Sequence, residues 1–147
     1  MSSFQVIVGS MLGGAEYVAE ACEETLTALG HQVKLHFQPN FAQILIEKQT
    51  WLICTSTHGA GDYPDNIQAF VTDLENSDQD LSSVKFLTIG LGDSNYDTFC
   101  HAAKKINKLI LSKGCNEILP LITLDMSQDI DPEERSQTWL FENKDHL

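Results

Sequence analysis

Long stretches of this chain carry no positive charge. No Lys or Arg lies between Met1 and Val33, none from Gln49 to Val84 and none from Phe86 to Ala103. With 21 acids against 9 bases the net charge is −12, which repels nucleic acid and an anionic membrane surface. No apolar run approaches the roughly 20 residues needed to cross a bilayer. The four cysteines (Cys22, Cys54, Cys100, Cys115) form no CxxC pair and have no histidine at zinc-site spacing. Each lies in an apolar context, so buried thiols are expected rather than a disulfide framework. Met1-Ser2-Ser3 leads straight into Phe4-Gln5-Val6-Ile7-Val8 with no basic leader region, which sets the expectation of a free-standing cytoplasmic protein.

What is present fits one domain over residues 1–147. A chain of this length buries roughly 70% of the surface its unfolded form exposes, and 42% hydrophobic residues suffice for an ordinary core. Phe4 to Val8, Trp51 to Thr55 and Val84 to Ile89 are short apolar runs suited to strands covered on both faces. Val33, Leu35 and Phe37 alternate with Lys34 and His36, as in a strand covered on one face. Ile118 to Ile122 contains Pro120, which cannot donate to a ladder and so belongs at an edge.

Helical stripes separate these runs. Val18, Cys22, Leu26 and Leu29 share a face that Gly30 closes. Ile67, Phe70, Val71 and Leu74 make a second stripe. Phe99, Ala102, Ala103, Ile106, Leu109 and Ile110 make a third, closed near Gly114, with Lys104, Lys105, Lys108 and Lys113 on its solvated side. Asp131-Pro132-Glu133-Glu134 reads as an N-cap, a first-turn proline and a capping-box glutamate. Residues 39–48 are ambiguous, with a short helix expected.

Alternation of strand and helix predicts an α/β fold, doubly wound, with a five-stranded parallel sheet in order 2-1-3-4-5 and helices on both faces. In such sheets ligands bind beyond the carboxyl ends of the strands, where the winding reverses. The loops after strands one, three and four are therefore the candidate site.

The first loop, Gly9-Ser10-Met11-Leu12-Gly13-Gly14-Ala15-Glu16, lets backbone N–H groups and a helix N-terminus face one phosphate. It is neither GxGxxG nor a Walker loop, and a plain tight turn tolerates the same glycines. The second, Ser56-Thr57-His58-Gly59-Ala60-Gly61-Asp62-Tyr63-Pro64-Asp65-Asn66, offers His58 or Tyr63 as a ring to meet a planar ligand. The third, Gly90-Leu91-Gly92-Asp93-Ser94-Asn95-Tyr96-Asp97-Thr98-Phe99-Cys100, offers Tyr96. These stretches hold Glu16, Asp62, Asp65, Asp93 and Asp97 but no cation, which argues against a polyphosphate nucleotide.

The run Gly90-x-Gly92-Asp93-Ser94-x-Tyr96-x-x-Phe99-Cys100 resembles the flavodoxin loop whose tyrosine covers the flavin. Ser56-Thr57-x-Gly59 with Pro64-Asp65-Asn66 is similar to the FMN domains of diflavin reductases. With Ser10, Gly13 and Glu16 of the first loop, the three motifs look most like the MioC-type short-chain flavodoxins. Only residues 123–130 separate strand five from the last helix, as in the short-chain form. The resemblance implies FMN as cofactor, held by Ser10 to Ala15, by Ser56 to Gly61, and by Leu91, Gly92, Asp93, Tyr96, Phe99 and Cys100. It places Tyr96 on the outer face of the ring and His58 where many flavodoxins carry tryptophan. Gly59 becomes the residue whose peptide turns its carbonyl toward flavin N5, which its lack of Cβ allows. His58 in place of tryptophan is expected to steepen the pH dependence of the flavin potential near neutrality. Met11, Leu12 and Ala15 stand where threonines are usual, so backbone N–H groups carry the phosphate.

The function implied is single-electron transfer between a basic-faced flavodoxin reductase and an acceptor enzyme, with support of biotin synthase suggested for the MioC type. No substrate chemistry of the chain's own is implied, and no nucleic acid or membrane. A flavodoxin-like regulatory protein that has lost the flavin is the alternative. A response-regulator receiver is excluded, because Gly9-Ser10 and Thr55-Ser56 stand where it needs acids. An NAD(P)H or quinone reductase is disfavoured by Tyr96 over the ring and by the lack of a cation for the nicotinamide phosphates.

Overall fold

A computed structural model describes residues 2–10 and 13–147. The order along the chain is β1 (Ser3–Gly9), α1 (Gly14–Ala28), β2 (Gln32–His36), β3 (Thr50–Thr55), α2 (Asp65–Asn76), β4 (Lys85–Gly92), α3 (His101–Ser112), β5 (Asn116–Glu117), β6 (Ile122–Asp125) and α4 (Pro132–Glu142). The sheet is parallel throughout, in order β2-β1-β3-β4-β5, with β6 also on β4. This is the doubly wound 2-1-3-4-5 arrangement, with helices on both faces.

Alternation along the strands sorts the core into two layers. Phe4, Val6, Val8, Leu52, Cys54, Leu87 and Ile89 face α1 and α4. Ile7, Trp51, Ile53 and Phe86 face α2 and α3. In the second layer Trp51 is fully buried, donates its indole N–H to the Leu45 carbonyl at 3.0 Å and meets Phe41 and Phe70 edge-on. Residues 39–48 hold a single 3-10 turn, Phe41–Gln43, capped by the Asn40 side chain.

Element ends follow local chemistry. At the end of α1, Gly30 has φ +92°, His31 N–H donates to the Leu26 carbonyl and Gly30 N–H to that of Thr27, a Schellman closure. Asp131 accepts from the Glu134 N–H at 3.1 Å and starts α4 with Pro132 in its first turn. All four cysteines are buried free thiols, and burial pushes Cys22 up to about 12 and Cys115 to about 11.

Two expectations need correction. Strand five is not continuous over 118–122 but split, because Pro120 has no N–H to give. Glu117 is in register with Phe86 and Ile122 with Ile89, so residues 118–121 bulge opposite only 87–88. His36 is not on a solvent face of β2. It is buried, its Nε2 lies 2.7 Å from Gln5 Oε1, and Gln5 passes the chain of bonds to Gln49. These glutamines lie far from His36 in sequence, so alternation alone could not show them, and burial lowers the His36 pKa.

Candidate cofactor site

The carboxyl ends of β1, β3 and β4 open onto a cleft of about 570 Å³, at the point where the winding reverses. Its walls come from all three predicted loops. The first loop contributes Ser10, Gly14 and Ala15, the second Ser56, Thr57, His58 and Gly59, and the third Leu91, Gly92, Asp93, Tyr96, Phe99 and Cys100. Met11 and Leu12 lie outside the described residues. Gly13, Ala60 and Gly61 are not on the cleft wall. They are turn residues that shape the loops: Gly13 caps α1 at φ +87° and Gly61 turns at φ +101°.

The first loop is folded onto itself at Ser10. Its Oγ accepts the Gly13 N–H at 2.9 Å, and its own N–H donates to Asn66 Oδ1 at 2.9 Å. The amides of Gly14 and Ala15 open a 15-residue helix, so they have no partner within the helix and carry its positive end. A Cβ on Gly14 would meet no atom of the described residues within 4 Å, so a ligand can approach the backbone there.

The second loop is a tight hairpin tip. His58 and Asp62 exchange both backbone hydrogen bonds at 2.8 Å, which fixes Gly59, Ala60 and Gly61 between them. Thr57 Oγ1 accepts from the Ala102 N–H at 3.2 Å, and the Gly59 carbonyl accepts from Thr98 Oγ1 at 3.4 Å. Of the two candidate rings, His58 lines the cleft. Tyr63 does not: it packs on the α2–α3 side beneath Lys105, whose Nζ stands 4.6 Å from the ring centroid.

The third loop is pressed against α3. A Cβ on Gly92 would fall 2.9 Å from Cys100 Sγ and 3.0 Å from Cys100 N, so only glycine fits. Cys100 itself caps α3 in the left-handed region, at φ +54°, and burial raises its thiol to about 11. Asp125 clasps the loop from below. Its Oδ1 accepts from Ser127 Oγ at 2.7 Å, from Ser127 N at 3.0 Å and from Ser94 N at 3.1 Å, and these bonds hold its carboxyl well below the usual carboxylate range. Tyr96 sits on this braced loop with 68% of its surface exposed, an aromatic face left open on the cleft.

Thr98, inside the third loop but not among the residues expected to hold the ligand, also lines the cleft, and so does Met126, which lies outside all three loops. Met126 follows β6 directly and bonds through its N–H to the Gly92 carbonyl at 2.7 Å. The rule that ligands sit beyond carboxyl strand ends, applied to the fifth strand as well, could have found it. Among the described lining residues there is no Lys or Arg, and among the described residues no cluster of His, Cys, Asp or Glu could hold a metal.

These features define a doubly wound α/β protein with its ligand cleft at the switch point, one helix N-terminus for an anion and flat apolar ground beside it. The model of the family described as flavodoxin matches residues 6–139, and the chain belongs to the flavodoxin family. It is 44% identical over 135 residues to the protein MioC homolog of Pasteurella multocida, covering 92% of this chain and 91% of that one. It is 37% identical to protein MioC of Escherichia coli, over 95% of both chains. A solved cysteine-to-alanine mutant of flavodoxin from Pseudomonas aeruginosa superposes with a TM-score of 0.90 at 29% identity, covering 99% of this chain and 98% of that one. Membership implies FMN as the cofactor, and the class is one of electron-transfer proteins rather than enzymes. No helix among the described residues is long and apolar enough to cross a membrane.

Proposed function

We propose that this protein is a cytoplasmic, FMN-loaded carrier that passes single electrons from a basic-faced reductase to an acceptor enzyme. The observation that carries the reading is the cleft itself: apolar, edged by an exposed tyrosine, with the Gly14 and Ala15 amides at a helix start and no Lys or Arg among its described lining residues. FMN supplies the redox chemistry. The Gly14 and Ala15 amides and the Ser10 hydroxyl hold the phosphate. His58 and Tyr96 would border the ring, and the Gly59 carbonyl would be the acceptor that the second loop offers to it. The long 3.4 Å bond from Thr98 to that carbonyl is one the loop can give up.

Asp93 on the cleft wall, with Asp62 and Asp97 on the same two loops, gives the open edge a negative field, which steers a basic partner and speeds encounter. They also oppose extra negative charge on the ring. We infer support of biotin synthase as one role, on the likeness to MioC-type proteins alone. The test is stepwise reduction of the FMN-loaded protein. Two separate one-electron steps with no steady oxidation of NADPH are expected of a carrier. Steady NADPH oxidation by the isolated protein would make it an enzyme instead.

A further inference from the structure

The phosphate loop is not held by its own strand alone. Val8 and Phe37 lie just past the point where the ladder between β1 and β2 stops, at Ile7 and His36. Beyond that point the β1–β2 register pairs neither Val8 nor Phe37 with the other strand. The Asn66 side chain, in the first turn of α2, fills the gap. Its Nδ2 donates to the Val8 carbonyl at 2.8 Å and to the Phe37 carbonyl at 2.9 Å, and its Oδ1 accepts the Ser10 N–H at 2.9 Å. One primary amide thus ties two strand ends and the first residue of the loop to a helix from the opposite layer. No other short side chain offers two donors and an acceptor from one planar group.

We propose that Asn66 is the positioning residue of the phosphate loop, and that it sets the preference for a phosphorylated flavin over an unphosphorylated one. Ser10 has two engagements: its N–H is fixed by Asn66 and its Oγ receives Gly13. The Ser10 corner therefore fixes where the Gly14 and Ala15 amides point. Without Asn66 the corner is held from one side only, and the amides lose the common aim that a single phosphate needs. The flavin ring, bordered by His58 and Tyr96 on other loops, does not depend on that corner.

The inference rests on FMN being the ligand, and the experiment separates the two failures. Apoprotein of the wild type and of Asn66→Ala is titrated with FMN and with riboflavin, and melting is followed on both. The expected result is a loss of FMN affinity of tenfold or more in Asn66→Ala, with riboflavin affinity changed by less than threefold. A parallel loss for both ligands, or an unchanged FMN preference, overturns the positioning role. Wild type that binds neither ligand overturns the FMN reading, and this inference with it. Should Asn66→Ala fail to fold, wild-type amide spectra decide. The Asn66 side-chain protons are expected to be protected from exchange in the apoprotein, and Ser10 N–H to shift with FMN but not with riboflavin. Rapid exchange of the Asn66 protons, or equal Ser10 shifts with both ligands, refutes the proposal.

Discussion

Replacing Gly90 with alanine is expected to destabilise the protein by about 1–3 kcal/mol and to weaken the cleft as well. A Cβ at that position would stand 2.6 Å from the Cβ of Ala103, far inside the 3.5–4.0 Å at which carbon atoms pack. Neither group can turn away, because one is on a central strand and the other on the buried face of α3. The helix must shift, and its start carries Phe99 and Cys100 into the cleft wall. At about 2–4 °C per kcal/mol for a domain of this size, the melting temperature falls measurably. The contact can be proved by a second change. Ala103→Gly alone costs about 1 kcal/mol of helix propensity, yet in the Gly90→Ala background it removes the clash. The double variant is therefore expected to be more stable than the sum of the two losses predicts, by about 1 kcal/mol or more. Strictly additive melting data would contradict the packing account.

Tyr96→Ala is expected to leave the apoprotein's melting temperature almost unchanged while raising the FMN dissociation constant tenfold or more. The ring is 68% exposed, and surface changes of that kind move stability by about 0.5 kcal/mol or less. Stacking on a heteroaromatic ring contributes about 0.5–1.5 kcal/mol beyond the area it covers, and tenfold corresponds to about 1.4 kcal/mol. Tyr96→Trp keeps a larger face in the same place and retains tight binding. Titration by quenching of FMN fluorescence reads both. Equal affinity in Tyr96→Ala and wild type would show that the exposed ring is not the flavin's cover.

Periodicity and capping residues carried most of this architecture in plain view. Gly30 and the Asp131-Pro132 pair end and start helices as local chemistry requires, and three apolar runs became β1, β3 and β4. What escaped depends on contacts distant in sequence. Pro120 pointed to an edge strand but not to the two extra residues that split it around the bulge. His36 looked solvent-facing until Gln5, 31 residues away, met it in the fold. Tyr63 and His58 were equivalent as loop aromatics, and only the layer that α2 and α3 cover, with Lys105 over the ring, draws Tyr63 to the far side. Asn66 could be read as part of a motif but not as the amide that joins three segments, because two of its partners lie 56 and 58 residues away. Met126 enters the cleft from the segment after β6, which has neither glycine nor aromatic ring to mark it as a ligand loop.

The roles proposed for the three loops all require that the cleft hold FMN by its ring and by its single phosphate. The most direct measurement is the visible absorbance spectrum of the purified protein, followed by titration of its apoprotein with FMN and with riboflavin. Oxidised-flavin bands are expected, with FMN bound much more tightly than riboflavin. Absence of binding for either flavin would contradict that requirement and return the chain to the reading of a flavin-free regulatory protein on the same fold.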